Sequence, residues 1–392
     1  MKKYIPLSIP NFEGNESKYV NEAISQAWVS TGGAYINRLE KQLAEFIGVE
    51  SVSACQSGTS AIHLALIESN VLPGDMVIVP TLTFIAAVNP VKYQFAEPVF
   101  MDCDESLCID PVKMKEFCEL MCEFKDGVLI HKQTGRKVKA IIVVHVFGNI
   151  ADMEAIMEIA EKYNIKVIED ATEALGTKYC EGKYSGKYAG TIGDFGAISF
   201  NGNKIITTGG GGAAISRCKE TVDHMRYLST QAKDDTHNYI HNEVGFNYRM
   251  TNVQAAIGVA QMEELKEFIQ RKNNNYDLYR ELFKDYNLGT ILPFRKGIDS
   301  NKWFYSFKIN TNLVNITLNE IIIKLKDRGI ETRPIWGLIH QQLPYKDAIS
   351  YKIESALHFS SSVLNIPCST NITCDDIRYV VEQIKNVLEE TN

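Results

Sequence analysis

The sequence predicts an α/β protein in which a large domain with a mainly parallel sheet precedes a smaller C-terminal α+β domain. From Val52 to Ser216, short apolar runs alternate with amphipathic helical stretches, as in strands joined by right-handed crossovers. The run from Ile141 to Val144 is continuously apolar, which is typical of a strand covered on both faces. Past Leu288 the alternation gives way to a mixed pattern, which indicates the second domain.

The individual elements follow from the same patterns. Two helices are expected first, at 16–28 and 34–46. The large sheet is expected to be mixed, with seven strands at 51–55, 76–80, 98–102, 140–146, 166–170, 197–200 and 213–216. A small surface hairpin is expected at 127–138. A long helix at 252–275, a strand at 303–307 and helices at 318–328 and 375–388 complete the chain.

The amino-acid composition and net charge of the chain exclude several classes of function. With 392 residues, of which 45% are apolar, the chain can bury more than one domain-sized core. A net charge of −7 argues against a nucleic acid or an anionic membrane as partner. The nine scattered cysteines are typical of reduced thiols in a cytoplasmic protein, and no His pair accompanies them at zinc-site spacing, so no metal site is predicted.

Lys204 is the first candidate for chemistry. It follows the apolar run from Phe195 to Phe200 and precedes four glycines, Gly209 to Gly212. A lysine held partly out of water has a lowered pKa and is a nucleophile able to form an imine with a carbonyl cofactor. Most lysines are solvated surface groups, so Lys204 needs support from other segments.

Asp170 gives that support, at the end of the predicted strand from Lys166. Ligands of doubly wound proteins bind outside the carboxyl ends of the strands, where an acid can hold a proton on a heteroaromatic nitrogen. Pyridoxal phosphate (PLP) needs such a partner because its protonated ring is the electron sink. The alternative is that Asp170 caps a helix at Ala171 to Leu175.

A third segment has the features of a phosphate site. The predicted strand ending at Cys55 is followed by the polar turn Gln56 to Ser60, and a helix begins at Ala61. A turn at a helix N-terminus directs free N–H groups and the positive end of the helix dipole at an anion. The turn lacks the glycine spacing of a P-loop or a dinucleotide fingerprint, and an ordinary capped turn is the alternative.

Taken together, these segments resemble the DegT/DnrJ/EryC1/StrS family of nucleotide-sugar aminotransferases, which have the fold type I (aspartate aminotransferase-like) architecture of PLP enzymes. The resemblance covers nearly the whole chain. The motifs that carry it lie at 57–61, 80–84, 169–176, 193–195, 199–204 and 245–250.

The resemblance assigns roles to particular residues. It implies that Lys204 and Asp170 are catalytic. The cofactor-binding residues it implies are Ser57, Gly58, Thr59, Phe84, Asp170, Glu173, Ser199, Lys204 and Asn247. The substrate-binding residues it implies are Thr31, Gly32, Arg249 and His340. Glu173 has an alternative as part of an Asp-x-x-Glu capping pattern, and Arg249 as a surface ion pair.

The same resemblance implies a homodimer in which Asn247 and Arg249 complete the site of the neighbouring chain. It divides the chain into a PLP-binding domain at 1–270, with residues 1–48 contributing to the site, and a small domain at 271–392. It also implies that the substrates are L-glutamate and a nucleotide sugar, and that the product serves bacterial surface glycan synthesis.

Within the family, the runs Asn201 to Thr208 and Ser229 to Ala232 look most like enzymes that aminate C4 of UDP-linked 4-keto-6-deoxy-N-acetylglucosamine. That substrate leads to legionaminic acid or bacillosamine. The alternatives are a dTDP- or GDP-linked keto sugar, a PLP-dependent sugar dehydratase, and a non-catalytic PLP-binding regulator. The dehydratases have histidine in place of the lysine, so Lys204 favours amino transfer.

Overall fold

A computed structural model describes residues 4–235 and 237–390 of the chain. Its α-helices are α1 (Glu16–Ser25), α2 (Ala34–Ile47), α3 (Gly58–Glu68), α4 (Asn89–Tyr93), α5 (Pro111–Leu120), α6 (Met153–Tyr163), α7 (Lys219–Ser229), α8 (Asn252–Leu282), α9 (Leu318–Asp327), α10 (Ser355–Ser362) and α11 (Cys374–Glu389).

Its strands are β1 (Val52–Cys55), β2 (Met76–Pro80), β3 (Glu97–Met101), β4 (Cys122–Lys125), β5 (Val128–His131), β6 (Lys137–Val144), β7 (Lys166–Asp170), β8 (Lys178–Tyr179), β9 (Phe195–Ser199), β10 (Gly212–Ser216), β11 (Lys233–Asp235), β12 (Ile240–His241), β13 (Gly289–Ile291), β14 (Ile298–Asp299), β15 (Tyr305–Ile309), β16 (Arg333–Pro334), β17 (Ile349–Tyr351) and β18 (Val363–Ile366).

The large sheet confirms the predicted fold class. Its main path is β1-β10-β9-β7-β6-β2-β3-β17, and the pairs from β9 to β17 are all parallel. β10 runs antiparallel to β1 and β9, which makes the sheet mixed. Helix α3 packs against β9 and β10 and buries most of its residues, so the first turn of this helix is held beside the strand ends.

The sheet has ten strands in the described part of the chain, and the expected number of seven was too low. The hairpin β4–β5 joins the sheet because β5 pairs antiparallel with the start of β6. The third additional strand, β17, comes from the C-terminal region and lies beside β3. Three residues of strand do not stand out in a sequence, and their pairing partner is about 250 residues earlier.

The C-terminal region forms a four-stranded sheet in the order β13-β15-β18-β16. The N-terminal segment attaches to it, because Ile5 pairs with Ile330 and the Cys368 N–H donates to the Leu7 carbonyl oxygen over 2.8 Å. Helix α8 is 31 residues long and passes without interruption through position 270. The predicted division of the chain there stays a prediction.

Several element ends differ from the prediction for local reasons. Helix α1 ends at Ser25 instead of Trp28, since Ala27 has a left-handed φ of 60°. The strand expected from Trp303 begins at Tyr305, and Trp303 turns towards a cavity instead. In residues 4–235 and 237–390, none of the helices is long and apolar enough to cross a lipid bilayer.

Candidate functional site

A cavity of about 800 Å³ opens at the carboxyl ends of the large sheet. Val144, Asp170 and Ser199, the last residues of β6, β7 and β9, contribute to its wall. This is the position where open α/β sheets bind ligands. The N-terminal segment and the C-terminal sheet close the other side, so residues from distant parts of the chain meet around one space.

Lys204 lies in this wall. Its side chain is 12% exposed, and Nζ lies 3.4 Å from Glu173 Oε1. Nζ also lies 4.2 Å from the centroid of the Trp303 ring, within the range of a cation–π contact. The amine therefore faces the cavity between a carboxylate and an aromatic ring, and its role as a nucleophile stays a prediction.

Glu173 is buried beside Lys204. The Phe147 N–H donates to Glu173 Oε2 over 2.9 Å, and the side chain does not cap a helix. Burial raises the pKa of this carboxyl from 4.5 to about 7, and the nearby Lys204 charge and the Phe147 N–H oppose the rise only in part. Glu173 can therefore accept or release a proton near neutral pH.

Asp170 is buried and lines the same cavity. The Thr172 N–H donates to Asp170 Oδ1 over 3.0 Å, which forms a tight turn, and no helix follows at Ala171 to Leu175. Burial raises the pKa of Asp170, while its hydrogen bonds with Thr172 and the Lys204 charge lower it. A buried carboxylate with this environment is stabilised by a cationic ligand.

Behind Asp170 lies a buried pair that the sequence did not reveal. His145 Nε2 lies 2.8 Å from Glu169 Oε2, and His145 Nδ1 accepts a hydrogen bond from the Ala151 N–H. The proton therefore resides on Nε2, which donates to Glu169. Glu169 also accepts hydrogen bonds from three backbone N–H groups at 190–193. This network fixes the end of β7, and with it the carboxylate of Asp170.

The predicted phosphate turn forms the first turn of α3. Ser57 is the N-cap, and its Oγ accepts a hydrogen bond from the Ser60 N–H over 3.0 Å. A Cβ at position 58 would lie 2.7 Å from Thr172 Cγ2, so only glycine lets the turn approach Ser199 and Thr172 so closely. The turn presents backbone N–H groups and hydroxyls to the cavity, a donor set that fits a phosphate group.

The structure brings eight of the predicted residues into one cavity: Ser57, Gly58, Thr59, Phe84, Asp170, Glu173, Ser199 and Lys204. It places five others outside the lining: Thr31, Gly32, Asn247, Arg249 and His340. Their roles stay predictions, and the contacts they make within this chain bear on them.

The His340 side chain contacts Thr81 and does not line the cavity. Its Nδ1 lies 2.6 Å from Thr81 Oγ1, and burial lowers its pKa. Arg249 is also buried, with its guanidinium bonded to Glu40 and to the Ala54 carbonyl oxygen. A substrate contact by Arg249 would require this buried ion pair to break. Asn247 is exposed, and its Oδ1 accepts a hydrogen bond from Gln231 Nε2.

The prediction missed the residues that reach the cavity from the C-terminal region. Trp303, Glu331, Arg333, Trp336 and Asn365 line it together with Leu7 and Ser8 of the N-terminal segment. Arg333 and Trp336 lie in a short polar and aromatic stretch whose only signal was an arginine beside a proline.

Comparison with known proteins agrees with this geometry. Residues 10–385 match the model of the DegT/DnrJ/EryC1/StrS aminotransferase family. The chain is 36% identical to the GDP-perosamine synthase of Escherichia coli O157:H7, over 97% of this chain and 98% of the relative. It is also 36% identical to the GDP-perosamine synthase of Caulobacter vibrioides, over 98% of each chain.

Among solved structures, a DegT DnrJ EryC1 StrS aminotransferase from Brucella abortus superimposes with a TM-score of 0.86 at 25% identity. The match covers 95% of both chains. The similarity therefore extends over the large sheet and the C-terminal region together.

Proposed function

This chain belongs to the DegT/DnrJ/EryC1/StrS aminotransferase family, and we propose that it transfers the amino group of L-glutamate to C4 of a nucleotide-linked 4-keto-6-deoxy sugar. The coarser function is that of the family: a PLP-dependent sugar aminotransferase of nucleotide-sugar and polysaccharide biosynthesis. The observation that supports our proposal most directly is that Lys204, Asp170 and the first turn of α3 line one cavity.

The cavity fits the cofactor at three points. The turn at Ser57 to Thr59, with Ser199 beside it, has the donors for the phosphate. Asp170 would supply the buried negative charge that keeps the ring nitrogen protonated. Lys204 would hold the aldehyde carbon through Nζ. When bound, PLP supplies an electron-withdrawing ring that accepts the electron pair left when a proton leaves the carbon bearing the amino group.

We assign the proton transfers to Lys204. Its amine lines the cavity and would remove the proton from the carbon that bears the amino group and return it one position away. Glu173, 3.4 Å from Nζ, can receive a proton from Lys204 or return one, because its pKa is about 7. The Trp303 ring packs against the amine at 4.2 Å and limits its exposure to water.

The overall exchange is balanced without an oxidant or reductant. L-Glutamate gives up its amino group and becomes 2-oxoglutarate, and the keto oxygen of the sugar is replaced by that amino group. The two substrates use the same cavity in turn, so the cavity has to accept both a dicarboxylate and a nucleotide sugar.

For the sugar we propose UDP-2-acetamido-2,6-dideoxy-hexos-4-ulose, in the synthesis of a glycan of the legionaminic acid or bacillosamine type. The support is the similarity of 201–208 and 229–232 to enzymes of that branch. A GDP-linked 4-keto-6-deoxy sugar is the second candidate, because two relatives at 36% identity are named GDP-perosamine synthase.

A panel of UDP-, GDP- and dTDP-linked 4-keto-6-deoxy sugars with L-glutamate distinguishes these candidates. Mass spectrometry of the products should show amination of the UDP sugar at a rate at least about tenfold above the others, which is a difference of 1.4 kcal/mol in transition-state binding. The Lys204→Ala variant is the blank. Faster amination of the GDP sugar would replace our substrate, and no amination of any sugar would contradict the proposed reaction.

A further inference from the structure

Arg333 is a positively charged residue of the cavity lining, and the amino transfer proposed above assigns it no role. Among the described residues of the lining, Lys204 and Arg333 are the two with a positive charge, and Lys204 is paired with Glu173. The Arg333 side chain is 69% exposed, so its guanidinium lies at the mouth of the cavity and is accessible to a ligand.

Glu331 holds the Arg333 side chain in place. Arg333 Nη2 donates to Glu331 Oε1 over 2.9 Å, and the other oxygen of Glu331 accepts hydrogen bonds from the Leu7 N–H and the Tyr4 hydroxyl. The backbone of Arg333 is fixed by pairing with Asn365 of β18. Within the described chain, no acceptor contacts Arg333 Nε or Nη1, so these donors are available to a ligand.

We propose that Arg333 binds a carboxylate of the amino donor. This inference rests on the proposed function, since it assigns a cavity residue to one of the two substrates. A guanidinium presents a planar set of N–H donors that matches the two oxygens of a carboxylate, which a lysine ammonium does not.

The charges around the cavity favour a carboxylate over the diphosphate of the nucleotide sugar. Asp170, Glu173 and Glu331 already line it, and the cofactor brings a phosphate. One arginine beside these groups balances a singly charged carboxylate better than a doubly charged diphosphate. The diphosphate is then expected to lie outside the reach of Arg333.

The two half-reactions of amino transfer test binding of the two anions separately, since the first uses the carboxylates of L-glutamate and the second uses the diphosphate of the sugar nucleotide. In the first, the PLP-loaded enzyme is titrated with L-glutamate and the change in cofactor absorbance is followed. We expect Arg333→Gln to weaken the apparent glutamate affinity about ten- to a hundredfold. Arg333→Lys should show an intermediate loss, because the charge remains without the planar donor set.

In the second half-reaction, the amino form of the enzyme is mixed with the keto sugar nucleotide, and we expect the rate for Arg333→Gln to remain within about twofold of wild type. Arg328→Gln is the matched control. It removes a partly buried arginine of the same region that lies outside the cavity lining and is bonded to Glu390 and Gln383, and it should change neither half-reaction.

Two results would overturn the inference: unchanged glutamate affinity in both Arg333 variants, or a loss confined to the sugar nucleotide. An equal loss in both half-reactions would also overturn it. Failure of the proposed function is distinguishable, because the wild-type enzyme would then show no absorbance response to glutamate or no amination of the sugar.

Discussion

Lys204 Nζ lies 4.2 Å from the centre of the Trp303 ring, and two hydrogen bonds hold Trp303 in place, one at its ring and one at its backbone. Trp303 Nε1 donates to the Asn203 carbonyl oxygen over 2.7 Å, so the residue next to Lys204 sets the orientation of the indole. The buried Lys272 of α8 donates to the Trp303 backbone carbonyl oxygen over 2.6 Å. Lys204 is thus positioned by the C-terminal region as well as by its own loop.

Borohydride reduction of the PLP-loaded enzyme should place the pyridoxyl group on Lys204. Lys204 is 12% exposed and faces the cavity, whereas the neighbouring Lys272 is bonded to two carbonyl oxygens. Peptide mapping by mass spectrometry locates the group. A label on Lys272 or any other lysine would contradict the assignment. Lys204→Ala should lose turnover and keep the fold.

Asp170→Asn should reduce turnover by several orders of magnitude while the protein still binds the cofactor. The substitution keeps the shape and the hydrogen bond from Thr172 but removes the negative charge that holds the ring proton. Single-turnover kinetics of the PLP-loaded variant measure the loss. Activity above about a tenth of wild type corresponds to less than 1.4 kcal/mol and would exclude this role.

Glu173→Gln should make the cofactor-free protein less sensitive to pH. The pKa of Glu173 is raised by burial from 4.5 to about 7, so the folded chain holds this proton more tightly than the unfolded chain. The resulting stability is fully present below pH 4.5 and is lost as the pH rises through about 7. The loss amounts to roughly 3 kcal/mol, which glutamine, having no proton to lose, avoids.

Urea denaturation of both proteins between pH 5 and 8.5 measures this difference. The free energy of unfolding of Glu173→Gln should increase relative to that of wild type as the pH rises. Glu123→Gln, at an exposed position of β4, is the control and should follow wild type. Parallel curves for wild type and Glu173→Gln would show that Glu173 does not titrate in this range.

The predicted homodimer with shared sites can be tested by complementation. Asn247 is exposed and lies outside the cavity of its own chain, as expected of a residue that contacts a neighbouring chain. Mixing inactive Lys204→Ala and Asn247→Ala chains should restore part of the activity, because each heterodimer has one intact site. Mixing Lys204→Ala with Asp170→Ala should restore none, because both residues belong to the same cavity.

We choose Asn247 over Arg249 for this experiment because Arg249 forms a buried pair with Glu40. Removing that arginine would deprive the Glu40 carboxylate, which is 11% exposed, of its nearest cation and leave it the Ala54 N–H and Arg226 at 3.6 Å, so the variant is expected to be less stable. Loss of activity in an Arg249 variant would therefore report on stability. Absence of recovery with Asn247→Ala, after subunit exchange has been verified, would count against shared sites.

The sequence predicted the strands at Met76–Pro80 and Lys166–Asp170 to the residue, since each is a short apolar run between clear breaks. It also predicted that Asp170 ends a strand and that Lys204 follows one, because strand, turn and acid are local patterns. Arg333 and Trp303 could not be predicted in this way. They reach the cavity through the pairing of β15, β16 and β18, which depends on contacts between distant segments.

The burial of Arg249 also could not be predicted from the sequence. An arginine beside a tyrosine is typical of the protein surface. Arg249 is buried because it pairs with Glu40 of α2, which lies more than 200 residues earlier in the sequence. The charge pair stabilises the junction of α2 with β1 and so removes Arg249 from the surface in this chain.

Trp303 and Trp336 both line the cavity, and the chain has three tryptophans in all. The remaining one, Trp28, is 59% exposed and so contributes a solvent-like emission. The intrinsic fluorescence of this protein is therefore weighted towards the space where substrates enter. Filling of that space, by cofactor, amino donor or sugar nucleotide, is coupled to an optical signal that requires no added label.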